Sequence, residues 1–341
     1  MYPEAEQIKQ IIDHAKRVVI MQADNPDGDS LGSALALEQI LGDLGKATFL
    51  YCGVSIPSYL HYLDGWDRVE TSLPSQFDVS IIVDTSADSL FEILERSGQR
   101  SWLTTKPCVV IDHHSIELAI PYATIHCNHQ AVATGEVIYE LASQLNMPMN
   151  LVAKQMLVSS IMSDSLGLTV EATTARSIGI VAELVGGGVS IAALENKRRE
   201  LMRKSPALVH YKGELLQRVE YSADNRIATI TIPWDEIERY SQEYNPSVLV
   251  LEDMRNTIST AVAIAFKSYP NGRVTAKIRA NLGFAIADKL AKHFKGGGHP
   301  YASGFKIEDS RSLDSIKVEC IEVATQLLDQ LTRGTTTHET S

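Results

Sequence analysis

Four places in the chain offer aspartate or histidine in groups: Asp27 with Asp29, Asp84, the run Asp112-His113-His114, and Asp164. Carboxylate oxygens plus imidazole nitrogens, with no thiolate among them, suit Mn2+ or Mg2+. Two carboxylates only two residues apart repel unless something cationic lies between them, and a hard divalent metal is the usual answer. A carboxylate shared between two ions, with ligands on either side, makes a two-metal site. Such a site activates water and stabilises in-line displacement at phosphorus. Taken singly, each residue has a plainer use. An aspartate after a strand is most often a turn former or helix cap, and His113 alone reads equally well as a surface imidazole. The combination carries the chemical reading.

The elements around these residues explain how they could meet. Residues 18–21 (VVIM) read as a buried strand. A polar turn follows, punctuated by Pro26 and Gly28, and Ser30 or Ser33 is the expected cap of a helix over 32–44. Residues 46–51 (KATFLY) and 79–83 (VSIIV) read as strands, the second running into Asp84. Residues 109–111 form a strand running into Asp112-His113-His114. Helices are read over 8–16, 135–145, 155–162 and 174–185, the last stopped by Gly186-Gly187-Gly188. The segment 125–129 (IHCNH) has an HxxH spacing but is read as a loop across the site. Strands alternating with helices predict an α/β fold with a doubly wound, mostly parallel sheet. In that architecture strand C-termini converge on one edge, so distant residues share a site.

The 341 residues are enough for two domains. The expected limits are a metal-binding catalytic domain at 1–186, a helical linker at 187–220, a smaller α+β substrate-binding domain at 221–332, and a disordered tail at 333–341. In the second domain, 226–233 alternates as a strand, and 260–266 and 274–279 read as strands joined by a Pro270-Asn271-Gly272 turn. A helix over 286–294 leads into Gly296-Gly297-Gly298-His299. Net charge is −11, which argues against a large duplex-DNA-binding face. No apolar run approaches the length of a membrane span. Four scattered cysteines without a CxxC pair suit a reducing, cytoplasmic setting.

PDGDSLGS at 26–33, VDTS at 83–86, DHH at 112–114, SDS at 163–165 and GGGHPYASG at 296–304 occur in this order. Together they resemble the motifs of the DHH phosphoesterase superfamily and its DHH-associated C-terminal domain, and most closely its nanoRNase and pAp-phosphatase branch. The resemblance implies that Asp27 binds a first metal, Asp29 a second, and Asp84 both. It implies that His113 and Asp164 complete the second site, that His114 lies at the substrate phosphate or leaving group, and that Asp112 orients a histidine. On the second domain it implies that Arg279, Gly296, Gly297, Gly298 and His299 bind substrate. Tyr301, inside that segment, is the aromatic residue suited to stack on a base. Two Mn2+ or Mg2+ ions per site are implied, and a homodimer is compatible with it.

The resemblance departs at one position. Members carry a histidine four residues before the first motif aspartate, and here that residue is Ala23. Asp24 or water could substitute, the first site could be weak, or catalysis could be impaired; retained activity is the expectation, because every other implied ligand is present. The expected function is metal-dependent hydrolysis of very short single-stranded oligonucleotides, including linear dinucleotides, or of nucleoside bisphosphates such as pAp. A nucleotide-binding protein without turnover is the alternative. An inorganic pyrophosphatase is a third, weakened by the GGGH segment.

Overall fold

Alternate residues of the first strand face two different cores. Val18 and Ile20 pack with one apolar cluster, Val19 and Met21 with another. This is how a strand covered on both faces reads, and it requires helices on each side of the sheet. The structure, a computed structural model, describes residues 1–114, 119–309 and 311–336. It divides into two compact units that meet between Arg203 and Lys204.

The first unit contains α1 (Ala5–His14), β1 (Arg17–Gln22), α2 (Gly28–Asp43), β2 (Ala47–Cys52), β3 (Val69–Glu70) and β4 (Val79–Val83). It continues with α3 (Glu92–Arg96), α4 (Arg100–Leu103), β5 (Cys108–Asp112), β6 (Ile125–Asn128), α5 (Thr134–Gln144), α6 (Leu151–Asp164), α7 (Ala175–Gly186) and α8 (Ile191–Leu201). Its six strands lie in the order β3-β2-β1-β4-β5-β6, every neighbouring pair parallel. The expected doubly wound sheet is therefore present. The chain runs outward from β1 to β3 and then returns to β4 on the other side of β1, so the β1–β4 boundary is a topological switch point.

Three features differ from the sequence reading. First, 125–128 is the edge strand β6 rather than a loop; Ile125 and Cys127 are buried and pair with Val109 and Ile111. Four residues with alternating burial are too short a signal to separate strand from loop by pattern. Second, α2 begins at Gly28, earlier than expected, and its cap is Asp27 rather than Ser30 or Ser33. The Asp27 side chain accepts from the backbone N–H of Asp29 and Ser30, and Ser30 Oγ accepts from the Asp27 N–H. Third, the C-terminal helix reaches Thr336, so 333–336 are helical where disorder was expected. Once a helix is nucleated and packed, each further residue adds a hydrogen bond at little cost. Residues 337–341 of the expected tail lie outside the described residues.

The second unit contains α9 (Pro206–Gln217), β7 (Glu220–Ser222), β8 (Ile227–Ile232), α10 (Trp234–Tyr240), α11 (Pro246–Arg255), β9 (Val262–Ser268) and β10 (Val274–Ala280). It ends with α12 (Ala287–His293), β11 (Gly297–His299), β12 (Ala302–Ile307) and α13 (Leu313–Thr336). The sheet order is β11-β12-β10-β9-β8-β7, antiparallel except for the β8–β9 pair. Val274, Ala276, Ile278 and Ala280 of β10 join one core with α12 and α13, while Ile230, Ala263 and Ala265 join another with α9 and α11. Within the segment expected as a linker, α8 belongs to the first unit and α9 packs into the second. Among the described residues no single helix is long and apolar enough to cross a membrane.

Candidate active site

Each carboxylate of the first unit is delivered by the end of an element. Asp29 lies in the first turn of α2, after β1. It is buried, and both of its oxygens accept hydrogen bonds. Oδ1 accepts from Ser33 Oγ at 3.0 Å, Ser160 Oγ at 2.5 Å and the Gly135 N–H at 3.3 Å; Oδ2 accepts from the Thr134 N–H at 2.7 Å. Two of these donors are backbone N–H groups at the start of α5, where the helix dipole favours negative charge.

Asp84 follows β4 with φ +62°, a left-handed conformation uncommon outside glycine, asparagine and aspartate. Its N–H still donates to Ile111 O of the neighbouring strand at 3.0 Å. The backbone therefore turns sharply while the ladder to β5 is kept. The Asp84 side chain accepts from Thr134 Oγ1 at 2.9 Å. Asp164 is the last residue of α6.

His113 draws these together. Its Nδ1 donates to Ala131 O at 3.1 Å, which leaves Nε2 to face the carboxylates. That nitrogen lies 3.5 Å from Asp84 Oδ1, 3.6 Å from Asp29 Oδ2 and 3.6 Å from Asp164 Oδ2. Bond lengths of ~2.1 Å to a hard divalent ion place two ligands of one ion no more than ~4.2 Å apart, so these separations are compatible with shared coordination. Ligand atoms of Asp29, His113 and Asp164 form one close group, and those of Asp84, His113 and His114 another.

Electrostatics point the same way. Burial raises the carboxyl pKa of Asp29, Asp84 and Asp164 above the ordinary value, and the charge of Asp29 adds to the rise at Asp84 and Asp164. Three acids around one imidazole nitrogen, Asp29 buried and Asp164 open to solvent, form an oxygen-rich donor set that a divalent cation would relieve of mutual repulsion. The residues fit a metal.

Asp112 is fully buried at the end of β5. Its Oδ1 accepts from the His113 N–H and from His114 Nδ1, both at 2.8 Å. Its Oδ2 accepts from Ser86 Oγ at 2.5 Å. Burial alone would raise its pKa, but the hydrogen bonds from His114 and Ser86 outweigh it and hold the carboxyl below the usual range. The bond to Asp112 in turn raises the His114 pKa. Ser86 Oγ also lies 3.0 Å from Nε2 of His126 on β6.

Asp27 is placed differently. It is exposed, and Oδ1 is committed to capping α2. Its charge still contributes to raising Asp29 and Asp84, so it lies near the group without joining it. Ala23 is buried. Asp24 does not reach the cluster: Oδ2 accepts from the Ile93 N–H of α3 at 2.8 Å. The HxxH pair also separates, because His129 bonds Glu4 at 2.9 Å while His126 faces Ser86.

In the second unit, strand pairing aligns the expected substrate-binding residues. His299 pairs with Ala302, and Arg279 pairs with Ala302 from the other side. Directly paired residues share a face, so His299 and Arg279 flank a small side chain, with their backbones ~9.6 Å apart across two strand spacings. β11 is the edge of its sheet. Gly298 has φ +135°, and a Cβ there would lie 2.6 Å from Ala302 O. Gly296 differs from expectation as a donor, since its N–H already bonds Ala291 O at 2.8 Å. Gly297 is exposed, and Tyr301 is exposed in the turn after β11.

Thr134, Ser160 and Ser86 were not anticipated as parts of the site. Thr134 reads from sequence as a helix cap, and nothing in its neighbours announces bonds to Asp29 and Asp84. VDTS at 83–86 contained Ser86, but its partner Asp112 lies 26 positions on.

Comparison with known proteins now adds family relationships. A model of the DHH family N-terminal domain matches residues 17–163, and one of the DHHA1 domain matches residues 240–332. The chain is 24% identical over 314 residues to the "Bifunctional oligoribonuclease and PAP phosphatase NrnA" of Bacillus subtilis, covering 89% of this chain and 95% of that protein. It is 24% identical over 285 residues to the Thermus thermophilus protein of the same name, covering 82% and 81%. A crystal structure of an exopolyphosphatase-related protein from Bacteroides fragilis superposes with a TM-score of 0.83 at 18% identity, covering 96% of this chain and 97% of that one, and shares the fold. With the DHH motifs set around His113 and the glycine-rich hairpin in the second unit, the chain belongs to the DHH family, as an N-terminal DHH domain followed by a DHHA1 domain.

Proposed function

We propose that the chain is a divalent-metal-dependent phosphoesterase that hydrolyses very short single-stranded oligonucleotides and nucleoside bisphosphates such as pAp. One observation carries this reading: Nε2 of His113 lies within 3.6 Å of carboxylate oxygens from three separate elements. The names of the Bacillus and Thermus relatives support the choice of substrates.

Asp29, Asp84, His113 and Asp164 would hold a metal, and Asp27, close by, would contribute to a second. Two Mn2+ ions, or Mg2+ in their place, are proposed. The bound metal supplies Lewis acidity, drawing charge from phosphoryl oxygens and acidifying water. Asp112 fixes the His114 ring through Nδ1, which leaves Nε2 to carry a proton toward the leaving oxygen. The hydrogen bond to Asp112 raises the His114 pKa, which favours the protonated ring. In the second unit, Arg279 and His299 hold a phosphate or ribose over Ala302, and the exposed edge strand offers a backbone donor at Gly298. Gly296 serves by its close approach to Gly304 rather than by donating. A cytoplasmic setting suits four cysteines that are buried and unpaired.

The test is a Mn2+-supplemented assay on pApA, pAp and pyrophosphate. Turnover of the first two and not the third is expected, with loss of at least a hundred-fold in Asp164→Ala. Full activity in that variant would remove the metal assignment. Ala23, and Asp24 held by the Ile93 N–H, favour a second reading, nucleotide binding without turnover. Binding of pApA with no hydrolysis at any metal concentration would select it.

A further inference from the structure

β10 carries Thr275, Lys277 and Arg279 on the face opposite its apolar residues Val274, Ala276 and Ile278. Lys277 pairs with Ala265 on one side and Gly304 on the other, so no neighbouring side chain in its row covers or compensates it. Lys267 of β9 sits opposite Thr275 on the same face and is only 9% exposed. Its ammonium donates to a neutral acceptor, Asn245 Oδ1, at 2.7 Å. Among the described residues no carboxylate lies within ion-pair distance of Lys267, Lys277 or Arg279; Glu252, whose charge is felt at Arg279, is paired with Arg255.

Cations withdrawn from water without a counter-charge are costly unless a ligand completes them. Burial and the neighbouring Lys277 push the Lys267 ammonium down to about 8. Burial and the charge of Arg279 lower Lys277 as well. Two residues along a strand span ~6.8 Å, about the separation of the phosphates flanking one ribose. Lysine binds phosphate as a point charge where arginine binds it as a fork.

Resting on the activity proposed above, we propose that Lys277, with Lys267, forms a second phosphate seat beside Arg279, so that the C-terminal unit selects nucleotides phosphorylated on both sides of a ribose. The two sources of that chemistry are a free nucleoside 3′,5′-bisphosphate and the 5′-phosphorylated end of an oligonucleotide.

The full-length protein, with metal chelated, is titrated with pAp against the adenosine 5′- and 3′-monophosphates, and with pApA against ApA. Mn2+-dependent hydrolysis is followed in parallel. The wild type is expected to prefer pAp over either monophosphate. Lys277→Met should cut that preference about ten-fold, the scale of one charge-assisted bond. Lys267→Gln should reduce it several-fold and serves if the first variant misfolds. Lys289→Met, an equal charge change on exposed α12, should leave it intact. No preference in the wild type, or the same preference in all variants, overturns the subsite. A parallel loss for pApA over ApA assigns it to oligonucleotide ends, and a loss confined to pAp assigns it to the free bisphosphate. Lys277-dependent discrimination without any hydrolysis would keep the subsite and sink the activity; hydrolysis without discrimination would do the reverse.

Discussion

The hydroxyl of Thr134 donates to Oδ1 of Asp84 at 2.9 Å, while its backbone N–H donates to Oδ2 of Asp29 at 2.7 Å. One residue at the start of α5 thus sets the spacing of two carboxylates, one in the first turn of α2 and one just after β4. Thr134→Val keeps the shape and the N–H but removes the hydroxyl. Loss of such a supporting bond typically weakens metal binding ~10- to 100-fold. Isothermal titration with Mn2+ should read a drop of that order, with Thr134→Ser near wild type. Unchanged affinity in the valine variant would show that Asp84 positions itself.

Gly32 separates two opposed effects. In an exposed helix, alanine at a glycine position is more favourable by ~1 kcal/mol. Here a Cβ would lie 3.0 Å from Met156 O and from Ser160 N, both backbone atoms of α6. Backbone cannot rotate aside, so α2 and α6 must part. Gly32→Ala is expected to destabilise the protein by ~1–3 kcal/mol in urea unfolding. It should also weaken Mn2+ binding, because Asp29 and Asp164 sit on those two helices. A stabilised variant would mean that the helices accommodate the methyl.

Ser86 acts on the reaction through Asp112 and His114. Removing its hydroxyl leaves Asp112 Oδ2 without its 2.5 Å donor. Ser86→Ala is expected to lower kcat about ten-fold with KM and bound metal nearly constant. The His114 pH profile should shift at the same time. A change in KM alone would place Ser86 in substrate binding instead.

Metal and stability are linked by the buried acids. Any ion that binds the folded chain alone stabilises it by ~2.7 kcal/mol at a hundred times its dissociation constant. Adding Mn2+ should therefore raise Tm, and EDTA should reverse the rise. In Asp164→Asn the shift should shrink. An identical shift in both proteins would place the stabilising ion elsewhere.

What the sequence disclosed, and what it withheld, follows from the range of the interactions. Asp84 and Asp112 stood at the ends of the apolar runs VSIIV and VVI, and Asp164 at the end of a helix, so their convergence followed from sheet topology. The helix α2 and its capping Asp27 were misplaced because Asp27, Ser30 and Ser33 lie close enough in sequence to compete for one cap, and the sequence does not say which wins. Thr134, Ser160 and Ser86 act across 25 to 131 positions, where no local pattern reaches. Whether Asp24 could stand in for the missing histidine was left open by the sequence, because its partner, the Ile93 N–H, lies 69 positions away.

Asp78 gives a pH dependence away from the site. Its carboxylate accepts the backbone N–H groups of Lys16 and Arg17, at 2.9 and 2.8 Å, which tie down the start of β1. The hydrogen bond from the Arg17 N–H, with that from Lys16, holds its pKa below the ordinary carboxylate range. A depressed carboxyl contributes stability above its unfolded pKa and loses it as pH falls through the folded one. The stability gap between wild type and Asp78→Asn, from urea midpoints, should be constant above about pH 5 and close below pH ~4. The group is largely solvated, so the gap should be small. A gap that widens on acidification would contradict the assignment.

Pro300 and Tyr301 alone join β11 to β12, since His299 already pairs with Ala302. A turn of two residues leaves no slack. One residue inserted there would shift β11 against β12 by a single position, and a shift of one turns every side chain on the strand to the opposite face. His299 would then point away from Arg279 although both residues were still present. For this hairpin, length is the constraint: a single inserted codon would lose the alignment whatever residues filled the turn.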